Sequence, residues 1–273
     1  MKVAALQYCG SADIQRNLAI LTELIEAAAA AKARWVCLPE CANMMGAGRE
    51  ALLATAEAED NSASLAHLQA LAKTHQITIF AGSLLLRPAG ADRLVNRSYI
   101  ITPEGAIAAH YDKIHMFDAD VGDGVRYQES ASFIPGQKAV MADIDNVPVG
   151  LSICYDVRFA PLYRQLAQAG AQIMMIPAAF TRNSGRAHWH VLQRARAIET
   201  GSFVIAAAQA GTHDDGRQTF GHALIIAPDG RILADGGADE SPHFILADLD
   251  LSEVHKARDS ITAWRHNPPY QLN

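Results

Sequence analysis

A cysteine at the end of an apolar strand is the first residue of this chain that could do chemistry. Cys154 follows Pro148-Val149-Gly150-Leu151-Ser152-Ile153, a buried-strand pattern, and precedes Tyr155-Asp156-Val157-Arg158, which breaks it. Carboxyl ends of strands are where α/β sheets bind ligands. A helix beginning there would supply backbone N–H groups that favour a thiolate. The other reading is a buried structural cysteine, and the segment alone leaves both open. Glu40 closes a second apolar strand, Trp35-Val36-Cys37-Leu38-Pro39. Half buried there, its carboxyl pKa would rise toward the range of a general base. Exposed, it is an ordinary loop glutamate. Lys113 lies in His110-Tyr111-Asp112-Lys113-Ile114-His115, where strand alternation puts Tyr111, Lys113 and His115 on one face. By itself it is an ordinary surface lysine. Glu129 lies in a loop before Pro135-Gly136 and alone says nothing.

Other chemistries lack their residues. Gly46-Ala47-Gly48-Arg49-Glu50-Ala51 fits a dinucleotide fingerprint but does not abut a strand, and reads instead as a loop entering a helix near Glu50. No phosphate-cradling glycine loop and no serine-hydrolase elbow occur. Cys37 and Cys41 have no second pair at zinc spacing. His188 and His190 are two apart in a helical segment, point roughly 200° away from each other and cannot grip one metal together. A cysteine–histidine hydrolase could draw on His222 or His115 as base, and no local spacing singles either out.

The elements that must position these residues alternate between strand and helix. Residues 1–8, 35–38, 77–81, 147–153, 172–176 and 203–207 read as strands. Residues 14–33, 62–74, 160–169 and 186–199 read as helices, the last stopped at Gly201. Residues 99–111 and 223–233 read as hairpins around Pro103-Glu104-Gly105 and Pro228-Asp229-Gly230. Ile100-Ile101-Thr102-Pro103-Glu104-Gly105 resembles Ile225-Ile226-Ala227-Pro228-Asp229-Gly230, and Leu38-Pro39 resembles Ile176-Pro177. This points to an internal two-fold repeat of β-α-β-α-β-β units, with two sheets packed together and helices outside. No linker breaks residues 1–273, so a single domain is expected, with residues 260–273 wrapping the surface or a partner subunit.

Composition narrows the class. Of 273 residues, 50% are hydrophobic and 19% charged, a globular balance. The net charge of −6 argues against a general nucleic-acid binder. No run approaches the ~20 apolar residues that span a bilayer, and the start lacks a signal-peptide pattern. Four cysteines do not make a disulfide scaffold, so a cytoplasmic protein with reduced thiols is expected.

Taken together, Leu38-Pro39-Glu40, Tyr111-Asp112-Lys113-Ile114-His115 and Cys154-Tyr155-Asp156-Val157-Arg158-Phe159 resemble, in order and spacing, the three motifs of the nitrilase superfamily of carbon–nitrogen hydrolases. Ala187-His188-Trp189 and residues 194–199 are similar to that family as well. Lys113-Ile114-His115-Met116-Phe117-Asp118, Gln128-Glu129-Ser130, Gly221-His222 and residues 207–213 resemble its deaminated glutathione amidase branch. Departures are Ala160-Pro161 after Arg158-Phe159 and Pro228-Asp229-Gly230 in the second hairpin, both outside the three motifs.

The resemblance implies a four-layer α-β-β-α sandwich, a homodimer or larger homo-oligomer, and a Glu–Lys–Cys site without cofactor or metal. Glu40 would take the proton of Cys154, Lys113 with the following backbone N–H would stabilise the oxyanion, and Glu129 would hold Lys113. Glu40 would then protonate departing ammonia and deprotonate water, releasing the acid. The implied substrate is a small carboxylate-bearing amide such as deaminated glutathione, with Tyr155, Arg158, Arg182, Arg217 and His213 as candidate binding residues. An omega-amidase acting on 2-oxoglutaramate is the alternative, and a catalytically silent thiol-binding or redox protein is the competing class.

Overall fold

In the computed structural model, which describes residues 1–122 and 124–271, the apolar N-terminal segment forms strand Lys2–Tyr8 at the heart of a ten-stranded sheet. Six of its strands run His243–Asp248, Lys2–Tyr8, Trp35–Cys37, Thr78–Phe80, Val95–Ile101 and Ile107–Asp112, with neighbours antiparallel, parallel, parallel, antiparallel and antiparallel. The second sheet is Val140–Ile144, Val147–Leu151, Ile173–Met175, Phe203–Ala206, Leu224–Ile226 and Ile232–Asp235, with the same succession of senses. The hairpins match in detail. Thr102 N–H bonds the Ala106 carbonyl and Gly105 N–H that of Thr102, as Ala227 bonds Arg231 and Gly230 bonds Ala227. Both ladders shift register after the first isoleucine of the Ile-Ile pair, at Ile100/Ile101 and Ile225/Ile226.

Side-chain alternation sets the layers. Ala4, Leu6, Tyr8, Val36, Ile79 and Ile101 face helices Ile14–Ala30 and Ala63–His75, meeting Leu18, Leu21, Ile25 and Leu68. Val3, Ala5, Trp35, Cys37, Phe80 and Ile100 face the other way, into one core with Val149, Leu151, Ile173 and Met175 of the second sheet. Cys37 Sγ and Met175 Sδ touch across the sheets at 3.9 Å. The far face of the second sheet packs on helices Ala160–Gln168 and Arg182–Thr200 through Leu166 and Trp189. Each fully buried leucine or isoleucine contributes about 1.5–3 kcal/mol, so packing rather than helix propensity holds these elements.

The expected helices and paired strands are present, and the glycine-rich segment leads into helix Arg49–Thr55. Elements beyond the sequence reading include strands Leu84–Arg87, Val140–Ile144 and His243–Asp248, the hairpins Asp118–Asp120/Arg126–Gln128 and Ala208–Thr212/Gln218–Phe220, and helix Ser252–Ser260. The C-terminal segment lies on its own chain: Arg164 donates to the carbonyls of Ala263 and His266, and Gln168 to that of Trp264. Leu272 and Asn273 of the expected wrapping tail lie outside the described residues.

Two glycines let the strand ends come together. A Cβ on Gly82, at φ +63°, would sit 2.0 Å from the Pro39 carbonyl oxygen, one residue before Glu40. A Cβ on Gly136 would sit 2.2 Å from the Asp112 carbonyl oxygen, one residue before Lys113. Gly82→Ala is expected to cost about 2–4 kcal/mol in urea unfolding, from overpacking plus left-handed backbone strain. An unchanged midpoint would contradict this packing.

Candidate active site

Strand ends deliver the reactive groups. Glu40 follows Trp35–Cys37, Lys113 follows Ile107–Asp112 and Cys154 follows Val147–Leu151. All three are nearly sealed, at 4%, 2% and 8% exposure, and all three line a cavity of about 240 Å³ together with Glu129 and Tyr155. Lys113 Nζ donates to Glu40 Oε1 at 2.9 Å and to Glu129 Oε1 and Oε2 at 2.9 and 2.8 Å. Glu40 Oε2 accepts the Ala179 N–H at 2.8 Å, and Glu40 and Cys154 line the same cavity. Strand alternation therefore fails at one residue. The strand stops at Asp112, and Lys113 turns to the two glutamates, away from the shared contact of Tyr111 and His115.

Asn96 was not legible from sequence. Only 2% exposed, it donates from Nδ2 to Glu40 Oε1 at 2.9 Å and to Glu129 Oε1 at 3.4 Å, bridging the two carboxylates that hold Lys113. Asp156 is the second addition. Its fully buried carboxylate accepts the Ile153 N–H at 2.8 Å and the Tyr111 hydroxyl at 2.7 Å, and the His115 N–H at 3.1 Å and ring Nδ1 at 2.7 Å. It thus ties the cysteine turn to the lysine segment. Cys154 begins the short 3₁₀ turn Cys154–Arg158 at φ +47°, a left-handed conformation that costs a non-glycine residue about 1–3 kcal/mol. The Asp156 cap and the Cys154 N–H bond to the Pro177 carbonyl at 2.9 Å hold it there. The Tyr155 N–H stands in the first turn, where no intrahelical carbonyl can take it.

The electrostatics correct two expectations. Burial pushes the Glu40 carboxyl up, but the Lys113 ammonium and the bonds from Lys113, Cys154 and Ala179 outweigh it, so its pKa is lowered. Burial, and then the Glu40 charge, push the Cys154 thiol well above its ordinary value, and Lys113 offsets only part of this. The short turn does not make a resting thiolate. Desolvation works against the Lys113 charge, yet Glu129, Glu40 and Cys154 raise its pKa well above the usual value. Formal charges of Glu40, Glu129 and Lys113 sum to −1. Ionising Cys154 to solvent would make −2 in a buried cluster, whereas moving its proton to Glu40 leaves the sum unchanged. Proton transfer within the pair is therefore the ionisation of Cys154 that adds no charge to the cluster.

The remaining candidates divide. Tyr155 and Arg217 line the cavity, joined by Arg49 and Arg126, which the sequence reading did not single out. Arg158, Arg182 and His213 do not line it. Arg158 packs over the rings of Phe180 and Tyr155 and meets His188 Nδ1 at 3.3 Å. Arg182 pairs with Glu240 at 2.6 Å. His213 is buried between the Gly10 carbonyl and the Thr219 hydroxyl, with burial lowering its pKa. The alternative bases are engaged elsewhere too, His115 on Asp156 and His222 on Asp235. Among the described residues, the one group of three side chains that could hold a metal is His190, His222 and Asp235, none of which lines the cavity.

Comparison with known proteins fits this geometry. Residues 2–259 match the family model described as carbon-nitrogen hydrolase. The chain is 42% identical over 267 residues to a deaminated glutathione amidase of Synechocystis sp., covering 96% of both chains. The crystal structure of the Caenorhabditis elegans NitFhit protein superposes with a TM-score of 0.89 at 34% identity, over 97% of this chain and 64% of that one. Saccharomyces cerevisiae Nit3, described as a member of branch 10 of the nitrilase superfamily, gives 0.86 at 29% identity, over 96% and 94%.

The charge balance predicts a counterintuitive variant. Glu40→Gln removes the anion that raises the thiol, so Cys154 should ionise at lower pH than in the parent. Iodoacetamide alkylation of Cys154, followed against pH by peptide mass spectrometry, should shift its rise downward. A parent thiol already fully reactive at neutral pH, or an upward shift in the variant, would contradict this charge balance.

Proposed function

The chain belongs to the carbon–nitrogen hydrolase family, and on that premise we propose that it cleaves an amide of deaminated glutathione through a thioester on Cys154. The observation that carries this reading is a cysteine on the wall of a cavity of metabolite size together with a carboxylate hydrogen-bonded to a buried ammonium.

The steps use only these groups. Cys154 Sγ attacks the amide carbon while Glu40 accepts the thiol proton, and the carbonyl electron pair moves onto oxygen. Lys113 Nζ and the Tyr155 N–H receive that oxyanion. Lys113 has three carboxylate contacts at rest, two of them on Glu129, so it can turn one N–H from Glu129 without leaving it. Removing one such donor typically costs ~10²–10³ in kcat. Glu40 returns its proton to the amide nitrogen, the carbon–nitrogen bond breaks and the thioester remains. Water then attacks with Glu40 as base, the carbon–sulfur bond breaks and Cys154 regains its proton. Glutathione is a γ-glutamyl peptide, so the amide nitrogen of its deaminated form belongs to a cysteinyl residue. The leaving group is then an amine-bearing dipeptide. The expected release of ammonia applies to primary amides such as 2-oxoglutaramate.

Substrate choice rests on cations. Deaminated glutathione has a carboxylate on either side of the cleaved amide, and the cavity wall carries Arg49, Arg126 and Arg217. Arg49 is placed by a bond to the Ala131 carbonyl at 3.2 Å, and the Arg217 guanidinium lies 5.6 Å from the Tyr127 ring centre. These arginines replace Arg158, Arg182 and His213 as the carboxylate-binding candidates. A soluble homo-oligomer acting in the cytoplasm remains part of the proposal.

Cys154→Ala should lose at least ~10³-fold in turnover, as removal of an activated nucleophile does. Arg217→Ala and Arg49→Ala should raise KM for deaminated glutathione about tenfold or more, the worth of one charge-assisted bond, with kcat little changed. Product assays for dipeptide and for ammonia separate the two amides. A higher kcat/KM for 2-oxoglutaramate would replace this reading with the omega-amidase one, and retained turnover in Cys154→Ala would end both.

A further inference from the structure

We propose that His190, His222 and Asp235 form a binding site for a divalent transition-metal ion of the zinc type, separate from the catalytic cavity. His190 Nε2 lies 3.0 Å from Asp235 Oδ2, and His222 Nδ1 lies 2.9 Å from Asp235 Oδ1. One ligand atom from each residue falls within 4.8 Å of the other two. Ligands held at about 2.0–2.2 Å around one tetrahedral ion stand about 3.3–3.6 Å from each other, so side-chain shifts of roughly 1 Å admit it. Two imidazoles and a carboxylate suit zinc and its neighbours, and leave a coordination position for water.

The three residues come from three elements, which the fold brings together in a fixed arrangement. His190 projects from helix Arg182–Thr200, Asp235 ends strand Ile232–Asp235, and His222 precedes strand Leu224–Ile226. The His222 backbone is pinned on both sides: its N–H donates to the Gly237 carbonyl at 2.8 Å, and its carbonyl accepts the Trp189 Nε1–H at 2.7 Å. That pinning keeps His222 at φ +54°, in the left-handed region, where its ring turns toward Asp235. Phe220 stacks on the His222 ring at 4.5 Å and meets the His190 ring edge-on at 6.0 Å, so both imidazoles are oriented before any ion arrives. The Gly237 N–H holds Asp235 Oδ1 at 2.8 Å as an outer support. The side chains are 21–32% exposed, which gives an ion access from solvent. His188, two residues from His190, faces Arg158 instead, so the helix contributes one ligand only.

Bound there, the ion would clamp the helix to the second hairpin, and its worth would appear as added stability. The test is calorimetric titration of the untagged full chain with zinc chloride, paired with thermal unfolding. One ion per chain, a raised melting temperature and at least a tenfold weaker affinity in each of His190→Gln and Asp235→Asn are expected. Cys154→Ala, which removes the cavity thiol, should bind zinc as the parent does. Circular dichroism checks that the variants fold, and His222→Gln serves as the third test if either does not. No saturable uptake by the parent, uptake unaffected by the His190 and Asp235 changes, or uptake lost in Cys154→Ala would each overturn the proposal.

Discussion

One buried ammonium governs the architecture of the site. Lys113 is almost fully removed from water, and an uncompensated charge there would cost several kcal/mol. Two carboxylates answer it, Glu40 and Glu129, each fixed from the side by Asn96 and from the backbone by Ala179 or Phe117. This demand for compensation is what draws a strand end, a hairpin end and a loop into one place. It also leaves a surplus negative charge beside Cys154, which adds to burial in keeping the thiol protonated.

In the proposed mechanism the same cluster lets one carboxylate act as base and then as acid. Glu40 sits between the thiol and the ammonium, so its proton affinity follows the charge on sulfur. When sulfur is neutral, Lys113 keeps Glu40 ionised. In that mechanism, once sulfur gives up its proton and bonds to carbon, Glu40 holds the proton that the leaving nitrogen takes. The arginines in the cavity wall stand apart from this exchange and are the proposed partners of the substrate carboxylates.

Much of this was legible in the sequence. Short strands ending in Leu38-Pro39-Glu40 and Ile153-Cys154 announced where chemistry would sit, because period and punctuation survive in the residue string. The repeat was legible through two matching turns, whose glycines at φ +80° and +86° close the same hydrogen-bonded loop. Less legible were groups whose role depends on contacts across the fold. Asn96 lies inside a strand with no local mark, and only register brings it between two glutamates. Asp156 was visible within the cysteine motif, yet its partners Tyr111 and His115 are more than forty residues away in sequence. Arginines cannot be sorted by sequence into pocket and surface, since a long side chain goes wherever its nearest anion or ring lies, as Arg158 and Arg182 do. The pKa direction of Glu40 likewise reflects the balance of a whole cluster, which its burial alone does not foretell.

The central claim is that Cys154 carries the acyl group between two proton transfers by Glu40. Rapid-quench intact-protein mass spectrometry during turnover of deaminated glutathione tests it directly. The account predicts a transient mass increase equal to the acyl half of the substrate, mapping to Cys154 and decaying as free acid appears. Product formation at full rate with no adduct on Cys154 at any quench time, or an adduct on another residue, would contradict it.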